Sequence, residues 1–375
     1  MTLADKYIIL TVMSISSFFR KLFHRGEPEH TQETTQIEEP QPEPVRPEER
    51  FILCIDGGGM RGIVPVVMLQ HLEKAIRDAG GTGDIATYFD FIAGTSTGGL
   101  ISLALTCGSS IPHEKLDDGS EQINLDALLE NYMTMGNTIF QANTSIFGLR
   151  QIVSDKYNSS GIQSLTQKWF GVKPMGSAKV PTMIMSYDVY AGRPQMIRSY
   201  MDEIGYPVWV AARATSAAPT FFSPCEYGGK LLVDGGVIAN NPVTYAYFEA
   251  KKLYPTCSKF HILSLSTGGT FHTMKKESTK GLMNWADQIS ALFDTAQKRT
   301  ADMVLENMPD VEYIRIDDPL SEAVKMDETS HSVLRYMKEE AENNALKYAD
   351  TLKKYAEMLT ENMEYRKNAS ETGRA

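Results

Sequence analysis

The chain has 375 residues, of which 42% are hydrophobic and 22% charged, and its formal net charge is -10. That composition is ordinary for a globular protein, and the length allows one large domain or two smaller ones. The acidic balance argues against binding a nucleic acid polymer through bulk electrostatics, which needs a basic face. Cys54, Cys107, Cys225 and Cys257 show no C-x-x-C spacing and read as free thiols in a reducing compartment. The histidines form no H-x-x-x-H or H-E-x-x-H pair, so no metal site is indicated.

The first apolar run, YIILTVMSISSFF at 7–19, is too short to span a bilayer. Arg20, Lys21 and Arg25 follow the run, whereas a secretory signal carries its positive charge ahead of the apolar stretch. On a helix, Ile8, Val12, Ile15, Phe19 and Leu22 share one face, while Ser14, Ser17, Lys21 and His24 share another. That pattern suits a helix lying on a membrane surface. Residues 1–25 are therefore expected to be an amphipathic segment making peripheral membrane contact through residues 7–25, on an otherwise cytoplasmic protein. The plainer alternative is an untidy terminus, with Met13 as another start. Residues 26–49 are rich in Glu, Pro and Gln and nearly devoid of apolar side chains, so they read as an extended, disordered linker.

From residue 50 the pattern changes to strands alternating with helices. FILCI (51–55) is a strand, 64–80 a helix, YFDFIAG (88–94) a strand, and 98–108 a helix. VPTMIMSYDV (180–189) is a strand, 209–219 a helix, and KLLVDG (230–235) and FHILSLSTG (260–268) are strands. This alternation predicts an α/β fold with a mostly parallel central sheet and helices on both faces. Helical spacing without proline predicts one long helix over 330–359. The expected division is a core at 50–270 and a helical C-terminal part, 271–375, packed on it.

Three glycine-rich turns carry the chemistry. In IDGGGMRG, Gly57, Gly59 and Gly62 match G-x-G-x-x-G, a pattern of loops that cradle phosphates. A dinucleotide fold also needs an acidic residue at the end of the next strand, and Asp78 falls within the predicted helix instead. No Gly-Lys-Ser/Thr follows, which removes the P-loop reading. The second turn, GTSTG at 94–98, sits between a strand and a helix, the context of a nucleophile elbow with Ser96 at its tip. A Ser-His hydrolase would then need a histidine base. Of the later histidines, His261 lies in an apolar strand, and His113, His272 and His331 lie in polar settings. The third turn places Asp234 at a strand end before two glycines, where a carboxylate can serve as a base or simply make a turn.

Together DGGGMRG, GTSTG and DGG, with AARATSAAPTFF at 211–222 and DGGVIANNP at 234–242, closely resemble the patatin-like phospholipase family over about residues 50–270. The resemblance implies a three-layer α/β fold and a Ser-Asp dyad of Ser96 and Asp234 with no catalytic histidine. It implies an oxyanion hole at Gly57, Gly58 and Gly59, chiefly the N–H groups of the last two. Arg61 would bind a substrate phosphate or else pair with a nearby carboxylate. The expected activity is hydrolysis of fatty-acyl esters of membrane phospholipids, without metal or organic cofactor. Two other readings stay open: a bacterial effector switched on by a small-molecule nucleotide, and a non-catalytic storage or binding protein. Asn240, Asn241 and Pro242 are expected to shape the turn after Asp234.

Deleting residues 1–48 is expected to leave hydrolysis of a soluble short-chain ester unchanged. The same deletion should weaken co-sedimentation with vesicles, most of all anionic ones, and added salt should shrink that difference. Equal co-sedimentation of both proteins would rule out a membrane role for the segment.

Overall fold

The structure, a computed structural model, describes residues 48–141, 155–201, 205–269 and 282–371. The segment 7–25 and the linker up to residue 47 lie outside the described residues. Pro47–Ala375 forms one compact unit. Its first described residue already belongs to the fold: the Glu48 carbonyl accepts the Ser258 N–H at 2.8 Å, and its carboxylate accepts the Thr256 hydroxyl. A deletion that tests the N-terminal segment alone therefore ends at residue 46.

Strand β1 (Glu49–Ile55) shows why the sheet is central. Phe51, Leu53 and Ile55 pack into one apolar core and Ile52 and Cys54 into a second, the two-residue alternation of a strand covered on both faces. The glycine turn follows, then α1 (Ile63–Asp78), β2 (Phe91–Thr95) and α2 (Thr97–Cys107). A small hairpin of β3 (His113–Lys115) and β4 (Glu121–Ile123) precedes α3 (Leu125–Ile139) and α4 (Ser159–Phe170). Next come β5 (Thr182–Asp188), β6 (Arg193–Arg198), α5 (Val208–Thr215), β7 (Cys225–Tyr227) and β8 (Lys230–Asp234). The short turn α6 (Gly236–Ala239) leads to α7 (Val243–Leu253) and β9 (Lys259–Leu265). The described chain closes with α8 (Leu282–Glu306), β10 (Val311–Ile316), α9 (His331–Lys347) and α10 (Ala349–Glu371).

The main sheet runs β10-β9-β1-β2-β5-β8-β7, with β6 also paired to β5. Pairs from β10 to β5 are parallel, and those of β5 with β6 and β8, and of β7 with β8, are antiparallel. Helices α1 to α5, α9 and α10 bury their apolar faces in the first core, and α7 and α8 in the second. The expected layered α/β architecture is thus the one observed.

One edge of β5 is divided between two neighbours. β2 occupies it as far as Thr95 opposite Met185, and β8 takes over with Asp234 opposite Ser186. β6 covers the other edge of the same residues. Two strands far apart in sequence therefore end at adjacent registers.

Two expectations change. The part beyond residue 270 is not only helical, because β10 adds an edge strand to the sheet. The long helix expected over 330–359 is two helices broken at Tyr348, whose φ of -96° and ψ of 11° leave the α region. No proline or glycine marks the break. It lets both halves pack on α1, where one straight helix would cross only once. Leu334, Met337 and Ala341 of α9 and Leu352, Tyr355 and Leu359 of α10 are buried there.

Leu359→Ala should cost about 2–5 kcal/mol in urea or thermal unfolding, because the cavity opens in a packed core. Leu346→Ala, at a side chain 66% exposed, should be near neutral. Equal effects would mean that α10 does not belong to the cooperative unit.

Candidate active site

Ser96 follows β2 directly and sits at φ 54° and ψ -122°, in the positive-φ half of the backbone map that side chains avoid. Such strain persists only where neighbours fix it. The Ser96 N–H donates to Thr215 Oγ1 at 2.8 Å, and Thr215 Oγ1 donates to the Met185 carbonyl at 2.6 Å. Glycines allow the turn to close. A Cβ on Gly94 would stand 2.3 Å from the Gly98 carbonyl oxygen, and one on Gly98 would stand 2.2 Å from that of Ile55. The start of α2 therefore rests against the end of β1. Its first backbone N–H groups have no acceptor among the described residues, since the first bond of the helix runs from Leu100 N–H to the Ser96 carbonyl.

Asp234 ends β8 with its side chain 5% exposed. Its backbone N–H donates to the Ala217 carbonyl at 3.0 Å, and Oδ1 accepts the Gly236 N–H at 2.7 Å. The Ser96 hydroxyl lies within its electrostatic reach and favours its charged form, while no hydrogen bond of ordinary length and angle joins the two side chains. Burial disfavours the charged form and pushes the carboxyl up to about 6, while the Ser96 hydroxyl and the Gly236 N–H oppose the shift. Ser96 and Asp234 are thus brought together as expected. The segment ATSAAP braces both, through the Thr215 hydroxyl and the Ala217 carbonyl.

The glycine loop passes beside this pair: a Cβ on Gly57 would lie 3.1 Å from that of Ser96. Its three glycines differ in role. The Gly57 N–H donates to the Asn240 carbonyl at 3.0 Å, so it is not free to donate to a substrate, and this corrects the expectation for that residue. Its carbonyl accepts from Asn240 Nδ2 at 3.2 Å and from Thr267 Oγ1 at 2.9 Å. The N–H groups of Gly58 and Gly59 have no acceptor among the described residues. Gly59 needs its missing side chain twice, for a φ of 60° and for a close approach to the Met326 carbonyl, 2.2 Å from an added Cβ. Asn240 therefore ties the turn after Asp234 to the glycine loop, while Asn241 caps α7 through the Val243 N–H at 3.0 Å.

Arg61 lies at the far end of the loop, partly buried. Nη1 donates to the Val324 carbonyl at 3.3 Å, and no carboxylate among the described residues forms an ion pair with it. The loop's first residue is anchored otherwise: Asp56, fully buried, accepts both Nη1 (2.9 Å) and Nη2 (2.7 Å) of Arg315 on β10.

His261 lies near the start of β9, away from the strand ends that hold Ser96. It is buried, stacks on Phe51 at 4.6 Å, and its Nε2 lies 3.0 Å from a Glu49 carboxylate oxygen. Among the described residues no histidine hydrogen-bonds to Ser96, and His272 lies outside them. No group of three His, Cys, Asp or Glu among the described residues is arranged to hold a metal ion. No described helix is long and apolar enough to cross a membrane.

The model of the patatin-like phospholipase family matches residues 53–247, which contain all three glycine turns, Ser96 and Asp234. "Patatin-like protein 1" of Arabidopsis thaliana is 30% identical over 312 residues, covering 71% of this chain and 74% of that protein. "Patatin-like protein 2" of Oryza sativa subsp. indica is 31% identical over 296 residues, covering 68% and 70%. "Patatin-T5" of Solanum tuberosum is 26% identical over 367 residues, covering 84% and 91%. The chain belongs to the patatin-like phospholipase family, a membership consistent with a lipid acyl hydrolase.

Because burial raises the Asp234 pKa, the folded state binds this proton more tightly than the unfolded chain does. Its ionisation therefore opposes folding as pH rises from about 4 to about 6, and the cost persists above that. Asp234→Asn should stabilise the protein at pH 8 by up to about 2–3 kcal/mol. The gain should shrink as the pH falls through 4, below which both states of the wild type are protonated. Thermal unfolding at both pH values checks this, and a lower midpoint for the variant at pH 8 would contradict it.

Proposed function

We propose that the protein is a serine acyl hydrolase of the phospholipase A type, with Ser96 as nucleophile and Asp234 as its base. The observation that carries this reading is the Ser96 hydroxyl set where it favours the charged form of a buried carboxylate, beside two backbone N–H groups without partners among the described residues. Asp234 accepts the Ser96 proton as Oγ attacks the ester carbonyl. The N–H groups of Gly58 and Gly59, with the free N–H groups at the start of α2, stabilise the oxyanion that forms. Collapse of that intermediate expels the lysolipid alkoxide, which takes the proton from Asp234, and leaves an acyl-Ser96. Water, deprotonated by the same carboxylate, then attacks the acyl group and releases the fatty acid. A carboxyl with a pKa of about 6 suits both steps: it is ionised at neutral pH and more basic than an ordinary aspartate. Arg61, a cation without a carboxylate partner among the described residues at the end of the oxyanion loop, is placed in this proposal against the phosphate of the lipid.

Ser96→Ala should abolish ester hydrolysis and labelling by a fluorophosphonate without lowering the unfolding midpoint by more than about 1 kcal/mol-equivalent. In the wild type, kcat/KM should rise with pH through a single midpoint near 6, since the base works as the carboxylate. Labelling that persists in Ser96→Ala would refute the nucleophile. Loss of activity in His261→Ala with turnover intact in Asp234→Asn would replace the dyad with a Ser-His pair.

A further inference from the structure

Arg315 lies on β10, well outside the segment 53–247 that matches the family, yet it reaches the first residue of the catalytic loop. It does so across an intervening strand. Arg315 stands opposite Ser264 of β9, and Ser264 stands opposite Cys54 of β1, two residues before Asp56. The guanidinium crosses β9, donates to Ser264 Oγ at 2.8 Å, and grips both Asp56 oxygens in a fork. Asp317 accepts from Nη2 at 3.1 Å and holds the guanidinium from the other side. Arginine suits this geometry because its planar fork matches a carboxylate with two parallel bonds.

Asp56 is the last residue that the sheet controls. Its N–H donates to the Leu265 carbonyl at 3.0 Å, and the chain then turns through the glycines. Its side chain has no exposure, so its charge is compensated from within the protein. An uncompensated carboxylate here would do two kinds of harm. It would pull the loop toward solvent or toward a new donor. It would also place negative charge one residue away from the cradle in which the proposed mechanism develops an oxyanion.

We propose that Arg315 is a positioning residue for the reaction, which through Asp56 holds the Gly58 and Gly59 N–H groups on the oxyanion and cancels the field of the Asp56 carboxylate there. This rests on the acyl-hydrolase reading above, and it adds a requirement from the C-terminal part of the chain. A displaced loop affects the transition state more than substrate binding, and misplacement of about 1 Å is enough to cost about 10²-fold in rate.

The test uses the full chain and a soluble p-nitrophenyl ester, with rates per folded molecule measured well below each variant's unfolding midpoint. Arg315→Met should lower kcat about 10²-fold while KM stays within about threefold. Asp56→Asn, which loses the fork but also the unwanted charge, should fall less, about tenfold. The double variant should match Asp56→Asn and not the product of the two losses, since both act through one contact. Should Arg315→Met fail to fold, Arg315→Lys serves in its place, with a kcat loss of about tenfold from keeping the charge but not the fork. A folded Arg315→Met or Arg315→Lys with wild-type kcat overturns the proposal, as does a double variant whose losses multiply. Ser96→Ala measured alongside separates the two failures: if it still turns over, the underlying mechanism is wrong whatever Arg315 does.

Discussion

The arrangement depends on how the hydrogen-bonding capacity of a single strand edge is shared. β5 pairs with β2 until Met185 and with β8 from Ser186 onward, so the two neighbours meet head to head along it. Ladder bonds fix register to the residue, and a slip of one would turn every side chain to the opposite face. Thr95 and Asp234 are consequently held opposite consecutive residues of one strand. Ser96 is the first residue past the end of β2 and Asp234 the last of β8. Side chains separated by 138 positions in the chain (234 minus 96) are in this way delivered to one point by the sheet itself, without relying on flexible loops.

Close approach of backbone to backbone is the second requirement. α2 can begin at Ser96 only because Gly94 and Gly98 let its first turn lie against the last carbonyls of β1. The glycine loop leaves β1 at that place, so Ser96 and the loop's N–H groups are adjacent by construction. The cost is backbone strain at Ser96, held by the Thr215 hydroxyl, and the carboxylate buried at Asp234, whose raised pKa records the desolvation.

Much of this is legible in the sequence, and the reason is locality. Apolar runs that end in glycine mark buried strands and tight turns within a few residues, so β1, β2, β5, β8, β9 and the three turns can be read directly. The lack of a well-placed histidine turns attention to Asp234, which the structure sets beside Ser96. What cannot be read are contacts fixed by the sheet. Thr215 lies 119 residues from Ser96, Asn240 183 and Thr267 210 from Gly57, and Arg315 259 from Asp56. The glycine pattern alone cannot say which N–H groups remain free, because the partner of Gly57 is a distant carbonyl. VEYIRI escapes notice because an edge strand is covered less completely and needs no unbroken apolar run. The break at Tyr348 carries no proline or glycine signal, since packing on α1 produces it.

The anchoring of Asp56 by Arg315 also sets an order in time. The glycine loop leaves the ribosome well before the strand that anchors it, since Arg315 follows Asp56 by 259 residues. Domains tend to fold as their segments emerge, but here an early-made half cannot complete the loop's surroundings. Thr267 and then β10 have to arrive, and the two closing helices settle on α1 after that. Ser96 and the glycines emerge long before the contacts that fix the loop around them. The loop's setting is therefore complete only once Arg315 has emerged, however early its glycines were made.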